Sequence, residues 1–202
     1  MANAGRAAGR RFDRRYGTTT EALLFPSQLD GGAKGEAYAH ATHYEPVPID
    51  SFRSLLACVP EGFLPGATFV DVGSGMGRAV LLASEYPFKQ IVGIELAPAL
   101  HAIATENVAN ARGLELRCRD LRLLCGDARR RRFPKGDLVV FLFNPFDEIV
   151  LRETLERIVS SRARGAGVIV LYHTPVHRDV LAEYASDTLA DSPGEFAVRM
   201  AL

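Results

Sequence analysis

Four residues at regular spacing form the most chemically informative segment of this chain of 202 residues. Asp71 is followed by Gly73, Gly75 and Gly77, between an apolar run and a helix-forming run that begins at Arg78. Glycines let a backbone pass close to a ligand, and an acid before the first glycine favours a positively charged ligand over a pyrophosphate. The G-x-G-x-x-G pattern of dinucleotide sites fails, because Arg78 stands where the third glycine is needed.

Polar residues also follow three later apolar runs. Glu95 ends the run 89–96, Asp127 follows the run 121–126, and Asn144 follows the run 137–143. A carboxylate at the end of the second strand can accept from both ribose hydroxyls of a nucleoside, and Asp127 is placed to accept from an adenine amino group. Each acid alone is also typical of a solvated loop or a helix cap. Their recurrence at the ends of successive runs favours one ligand site.

These motifs resemble those of class I S-adenosylmethionine-dependent methyltransferases, from Tyr44 to the C-terminus. The segment 44–48, Tyr-Glu-Pro-Val-Pro, is in addition similar to the aromatic-proline segment that lines the cofactor pocket of non-SET protein-lysine methyltransferases. The resemblance implies that Asp71 and the glycines hold the methionine part of S-adenosyl-L-methionine, Glu95 the ribose and Asp127 the adenine. The cofactor-binding residues that it implies are Tyr44, Asp71, Gly73, Ser74, Gly75, Gly77, Glu95, Leu96, Asp127 and Ala128.

The methyl acceptor is expected where the fourth and fifth strands end. A sulfonium already activates its methyl group, so the protein mainly has to align and desolvate the acceptor. We predict Asn144, Phe146 and His173 as the catalytic residues there: an amide, a ring that can stack on a flat or cationic group, and an imidazole. The alternatives are that Asn144 turns the chain and that His173 is a hydrogen-bonded loop residue. Asn144-Pro145-Phe146 is similar to the N-P-P-[YF] signature of nitrogen methyltransferases but lacks one proline.

Alternating apolar and amphipathic segments predict a Rossmann-like, doubly wound α/β fold: a mostly parallel seven-stranded sheet with helices on both faces. The predicted strands end at the polar residues described above, and two short strands close the chain. The predicted elements after the glycine segment are a helix at 78–86, a strand at 90–95, a helix at 98–112, strands at 121–126 and 138–143, a helix at 147–161, a strand at 168–172, a helix at 176–184, and strands near 187–190 and 196–202.

The N-terminal 43 residues are predicted to form an arm that precedes the methyltransferase domain at 44–202. Residues 1 to about 35 are rich in Gly, Ala, Arg and Thr and indicate a flexible segment. Two interpretations stay open for the arm: a lid that closes over the cofactor through Tyr16 and Tyr44, or a tail without a role.

The amino-acid composition argues against several classes of function and location. Lys+Arg and Asp+Glu both number 24, and this balance argues against a protein that coats nucleic acid. Three cysteines without C-x-x-C spacing indicate reduced thiols and a cytoplasmic location. The sequence has no apolar run near 20 residues, so no membrane span is expected. No metal is expected, because the pairs His40/His43 and His173/His177 lack a third ligand.

The sequence therefore predicts an S-adenosylmethionine-dependent methyltransferase that acts on a nitrogen of a protein side chain or of a small molecule. One alternative is a regulatory subunit that binds the cofactor without turnover. The other is a nicotinamide-dependent oxidoreductase, which the missing third glycine disfavours.

Overall fold

A seven-stranded sheet organises the protein, which was analysed as a computed structural model that describes residues 2–25 and 43–201. The strand order is β3-β2-β1-β4-β5-β7-β6. β7 runs antiparallel to both of its neighbours, and all other pairs are parallel. The predicted fold is confirmed. The strands are β1 (Thr68–Val72), β2 (Gln90–Glu95), β3 (Leu121–Cys125), β4 (Leu138–Phe143), β5 (Val168–His173), β6 (Ala185–Ser192) and β7 (Glu195–Met200).

Helices cover the two faces of this sheet, as the alternating pattern predicts. In β1, Phe69 packs into one apolar cluster and its neighbour Val70 packs into another on the opposite face. Successive side chains of a strand point to opposite faces of the sheet, so helices must pack on both faces to bury them. The helices are α1 (Ala2–Tyr16), α2 (Ile49–Ala57), α3 (Arg78–Ala83), α4 (Pro98–Asn110), α5 (Glu148–Ser161) and α6 (Arg178–Ala182), with 3₁₀ turns at Glu61–Gly66 and Ala128–Arg130.

Aromatic rings fill the centre of the first cluster. The rings of Phe52, Phe69 and Phe141 are mutually in contact, with centroids 5.4–6.3 Å apart. All three side chains are at most 2% exposed, and burial of one such side chain stabilises a fold by roughly 1.5–3 kcal/mol. This packing joins β1 and β4 to α2, and the candidate site lies where those two strands end.

The interpretation of the N-terminus as a flexible segment is wrong for α1. Phe12 is buried in the first cluster, and its ring contacts that of Tyr16 edge-on at 4.8 Å. Residues four apart share one face of a helix, so this pair anchors α1 although Gly, Ala and Arg dominate its composition. Gly17, with φ of 71°, then ends the helix. Most of the proposed lid, residues 26–42, lies outside the described residues.

Among the described helices, none is long and apolar enough to cross a membrane.

Candidate functional site

A pocket opens at the carboxyl ends of β1, β2 and β4, beside the glycine loop (residues 73–77) that leaves β1. It encloses about 930 Å³ of empty space, including the part open to solvent. Its lining combines apolar and charged side chains from residues 43–150. The lining residues are His43, Tyr44, Glu45, Val72, Gly73, Gly75, Ile94, Glu95, Leu96, Ala97, Leu100, Gly126, Asp127, Ala128, Arg129, Phe143, Pro145, Phe146 and Val150.

The predicted site residues divide into two groups around this pocket. Those that line it are Tyr44, Gly73, Gly75, Glu95, Leu96, Asp127, Ala128 and Phe146. Those that do not line it are Asp71, Ser74, Gly77, Asn144 and His173.

The glycine loop needs glycine at two positions for steric reasons. A Cβ on Gly73 would stand 2.7 Å from the Cβ of Pro145, and one on Gly75 would collide with the Tyr44 ring. Both residues also have positive φ, 79° and 53°, a region that other residues rarely adopt. The loop therefore passes directly beneath Tyr44 and Pro145, at the floor of the pocket.

Glu95 holds the glycine loop in this position. Its Oε2 accepts a hydrogen bond from the Gly75 N–H at 2.7 Å, and its Oε1 accepts one from the Ala97 N–H at 2.7 Å. The side chain is 7% exposed, and burial raises its pKa although these backbone N–H groups oppose the change. A carboxylate has about four acceptor positions. The Leu96 backbone N–H also bonds this carboxylate, so three backbone donors leave acceptor capacity for a ligand hydroxyl, and this fits a ribose.

Asp71 lies within β1, directly behind the glycine loop. It is 3% exposed. Burial raises its pKa to about 8, and the nearby charge of Glu95 adds to the effect. An acid of this kind is largely neutral at pH 7 in the ligand-free protein, and a nearby cation would favour its ionised form. Asp71 does not line the pocket, but its ionised carboxylate would attract a cationic group bound there.

Arg129 constrains Asp127, and it was not among the predicted site residues. The Asp127 carboxylate caps the 3₁₀ turn by accepting from the Arg129 backbone N–H at 2.9 Å, and it pairs with the Arg129 guanidinium at 2.8 Å. Burial alone would raise the pKa of Asp127, but the Arg129 hydrogen bonds outweigh it and lower the pKa. Asp127 is therefore a fixed, ionised acceptor on the pocket wall. In the sequence, the position of Arg129 two residues after Asp127 was the feature that could have indicated this pair.

No family model matches this sequence. The chain is similar in structure to the mitomycin 7-O-methyltransferase MmcR, with a TM-score of 0.55 and 18% identity over 76% of this chain and 54% of that one. It is also similar to TrmN from Thermus thermophilus, with a TM-score of 0.55 and 17% identity over 77% of this chain and 49% of that one. The chain thus spans about half the length of these two proteins.

A third similar structure, a ribosomal protein methylase from Lactobacillus delbrueckii subsp. bulgaricus, has a TM-score of 0.54 and 15% identity over 75% of this chain and 78% of that one. The chain has the class I methyltransferase fold. At these identities the likeness shows the fold alone. The recognition made from the sequence motifs is confirmed at that level.

Two of the predicted catalytic residues lie one layer behind the pocket of this methyltransferase fold. Asn144 has a φ of 38°, and its Oδ1 accepts a hydrogen bond from the hydroxyl of the buried Tyr172 at 3.3 Å. His173 lies behind Phe143, with the two rings edge-on and their centroids 4.6 Å apart. The fold thus presents Phe143, with Pro145 and Phe146, to the pocket in place of these polar groups.

The surroundings of His173 favour its neutral form. Burial lowers its pKa, although the charges of Glu195 and Glu45 oppose the change. Its Nδ1 is buried and has no hydrogen-bond partner within the part of the chain that the structure describes. Phe143 and Glu45 were missed as lining residues, although each directly precedes or follows a predicted one, Asn144 and Tyr44. Adjacency to a predicted site residue was the signal that could have identified them.

Among residues 2–25 and 43–201, no group of three or more His, Cys, Asp or Glu side chains could hold a metal ion. His40, one member of a predicted His pair, lies outside those residues.

Proposed function

We propose that this protein is a cytoplasmic S-adenosylmethionine-dependent methyltransferase that acts on a nitrogen of a protein side chain or of a small molecule. The observation that carries the proposal is the meeting of the glycine loop, Glu95 and Asp127 around one pocket of a class I methyltransferase fold. Each lies at the end of a different parallel strand, where open α/β sheets receive their ligands.

The residues around the pocket suit the three parts of S-adenosyl-L-methionine. Glu95 retains acceptor capacity for the ribose hydroxyls, and Asp127 presents a fixed carboxylate to the adenine amino group. A bound cationic amino-acid part would favour the ionised form of Asp71, which then provides negative charge behind the loop. When bound, the cofactor supplies a methyl group activated by its sulfonium. The protein then has to exclude water and orient the acceptor.

The acceptor end of the pocket supports a nitrogen acceptor. Phe143, Pro145 and Phe146 form an apolar wall, and Glu45 lies on the same pocket with its side chain 46% exposed. A carboxylate next to aromatic rings attracts an amine or its cation. Asn144 and His173 lie behind this wall, and we propose that they orient the acceptor indirectly, by positioning Phe143 and Pro145.

We expect S-adenosylhomocysteine to stabilise the protein and NAD to leave its stability unchanged. A ligand present at 100 times its dissociation constant stabilises the folded state by about 2.7 kcal/mol, because it binds only that state. Thermal unfolding with each ligand measures the difference. Stabilisation by NAD without any by S-adenosylhomocysteine would support the oxidoreductase alternative instead.

Truncation of Phe146 to alanine should reduce methyl transfer without a comparable loss of cofactor affinity. Misplacement of an acceptor can lower a rate by about 100-fold, whereas the acids that we assign to the cofactor stay in place. The assay is mass spectrometry of cell extract incubated with isotopically labelled methyl donor and each purified variant, with calorimetry for S-adenosylhomocysteine.

Val176→Ala is the control for this truncation, because Val176 is 62% exposed and lies outside the pocket. Labelled product at the wild-type level from Phe146→Ala would contradict the assignment. Cofactor binding without labelled product from the wild-type protein would favour the regulatory subunit.

A further inference from the structure

The four residues 18–21, which follow α1, lie against the back of the glycine loop. Thr20 is fully buried and Thr18 is 8% exposed, although both lie within the predicted flexible segment. Asp13, on α1, holds this turn in place. Its carboxylate accepts hydrogen bonds from the Thr18 hydroxyl at 2.8 Å, the Thr20 hydroxyl at 2.7 Å, and the backbone N–H groups of Thr20 and Glu21 at 2.9 and 2.8 Å.

Arg78, the first residue after the glycine loop, depends on this turn for its partners. It is 3% exposed; its Nε donates to the Thr20 hydroxyl at 2.7 Å, and its Nη1 pairs with Glu21 at 3.0 Å. Gly9 of α1 packs so closely that a Cβ there would stand 2.8 Å from the guanidinium. A buried charge is costly unless it is paired. Among the described residues, Arg78 forms ion pairs with Asp13 and Glu21, both N-terminal to the domain predicted from the sequence.

Asn107, on α4, links the same turn to the loop from the other side. Its side chain donates to the carbonyls of Thr19 and Met76, both at 2.9 Å, and accepts from the Thr19 N–H at 2.7 Å. Met76 is within the glycine loop. A buried amide that uses both its donors and its acceptor in this way fixes its neighbours relative to one another.

Thr20 also reaches the pocket through Tyr44. The Tyr44 hydroxyl donates to the Thr20 carbonyl at 2.7 Å. The ring of Tyr44 lies directly over Gly75, and the Gly75 N–H donates to Glu95. A continuous set of contacts therefore runs from Asp13 through Thr20 and Tyr44 to the glycine loop, and from the loop to Glu95.

We propose that Thr20 is a positioning residue for the cofactor site: by binding Arg78 and Tyr44 at once, it sets the conformation of the glycine loop. The segment 13–21 is then an integral part of that site, not a lid or a tail. This inference rests on the proposed function for the identity of the ligand. Coupling between two such sites is reciprocal, so bound cofactor should also hold this segment in place.

Thr20→Val tests the inference, because valine keeps the shape and removes the hydroxyl. We expect the dissociation constant for S-adenosylhomocysteine to rise at least about 5-fold, the low end of typical coupling between sites. We also expect the amides of Gly75 and Gly77 to exchange with solvent faster in the ligand-free variant, as measured by NMR. Thr20→Ser, which retains the hydroxyl, should restore both values.

Thr154→Val is the matched control. Thr154 is equally buried, on α5, and its hydroxyl has no hydrogen-bond partner among the described residues. This variant should keep the wild-type dissociation constant and loop exchange. Tyr44→Phe, which removes the hydroxyl that bonds the Thr20 carbonyl and the Met76 backbone, should move both readouts in the same direction as Thr20→Val, and it replaces that variant where Thr20→Val does not fold.

Wild-type affinity and loop exchange in folded Thr20→Val would overturn the inference, even with a lower melting temperature, because that result describes a purely structural role. Failure of the wild-type protein to bind either S-adenosylmethionine or S-adenosylhomocysteine would overturn the proposed function instead. The exchange rates of Gly75 and Gly77 in the two threonine variants would then decide the inference alone.

Discussion

We expect Asp71→Asn to raise the stability of the ligand-free protein and at the same time to weaken its binding of S-adenosylmethionine. Asp71 is 3% exposed in the central strand β1, and burial followed by the charge of Glu95 raises its pKa to about 8. The folded protein therefore binds a proton that the unfolded chain, with an ordinary pKa of 3.8, releases. Asparagine has the same shape and no charge to bury.

The stability difference should depend on pH with a defined sign. Below about pH 4 the carboxyl is protonated in both the folded and the unfolded states, so the raised pKa costs nothing. As the pH rises toward 8, the folded state binds more protons than the unfolded state, and the free energy of unfolding of the wild-type protein falls. The full penalty is present above pH 8. It is on the order of a few kcal/mol, since each unit of pKa corresponds to about 1.4 kcal/mol.

Binding should change in the opposite direction. The ionised form of Asp71 favours a cationic ligand, so wild-type affinity for S-adenosylmethionine should increase from pH 6 to pH 8.5, whereas Asp71→Asn should bind weakly and without this dependence. Chemical denaturation and calorimetry across the pH range measure both effects. Asp187→Asn, on the exposed face of β6, is the control. Equal stability of Asp71→Asn and wild type at pH 5 and pH 9 would refute the assignment.

Residues that bind ligands often lower the stability of the folded protein. Here the cause is the position of an acid within a buried strand. The D-x-G-x-G-x-G spacing predicts that Asp71 lies near a cationic ligand. It does not predict that Asp71 stands behind the loop. That position depends on β1 being a central strand, paired with β2 on one edge and with β4 on the other.

The sequence predicts the central strands well because their signals are local. The bounds of β2 and β4 match the predicted 90–95 and 138–143: each is an apolar run stopped by a polar residue. The predicted helix at 176–184 is shorter in the structure, Arg178–Ala182, since Thr174 at φ of 50° and Pro175 delay its start. Boundaries set by backbone turns are less visible in composition than apolar runs are.

Contacts between distant segments explain what the sequence could not predict. α1 was missed because Phe12 and Tyr16 are two rings among glycines and arginines. Its other anchor, Arg78, lies more than 60 residues away in the chain. In the sequence analysis, Arg78 was used to exclude a dinucleotide motif. No neighbouring residue in the sequence indicates that its side chain is buried against Asp13 and Glu21. Such pairings arise only in the folded chain.

The second large effect is expected at Glu95. In Glu95→Ala the ribose hydroxyls of a bound cofactor lose a charged acceptor, and the N–H groups of Gly75 and Ala97 lose theirs. Loss of a charged hydrogen-bond partner costs roughly 1.5–3 kcal/mol, so the affinity for S-adenosylhomocysteine should fall about 10- to 100-fold. Calorimetry on the folded variant measures this, with the exposed Glu106→Ala on α4 as the control.

Glu95→Ala should also change the titration of Asp71, and this separates a charge effect from a loss of loop geometry. The charge of Glu95 is the second cause, after burial, of the raised pKa of Asp71. Its removal should lower that pKa and move the pH-dependent loss of stability to lower pH. Glu95→Gln, which keeps one acceptor oxygen for the loop but no charge, should show the same shift with a smaller loss of affinity. Unchanged affinity in folded Glu95→Ala would remove Glu95 from the cofactor site, whatever the titration shows.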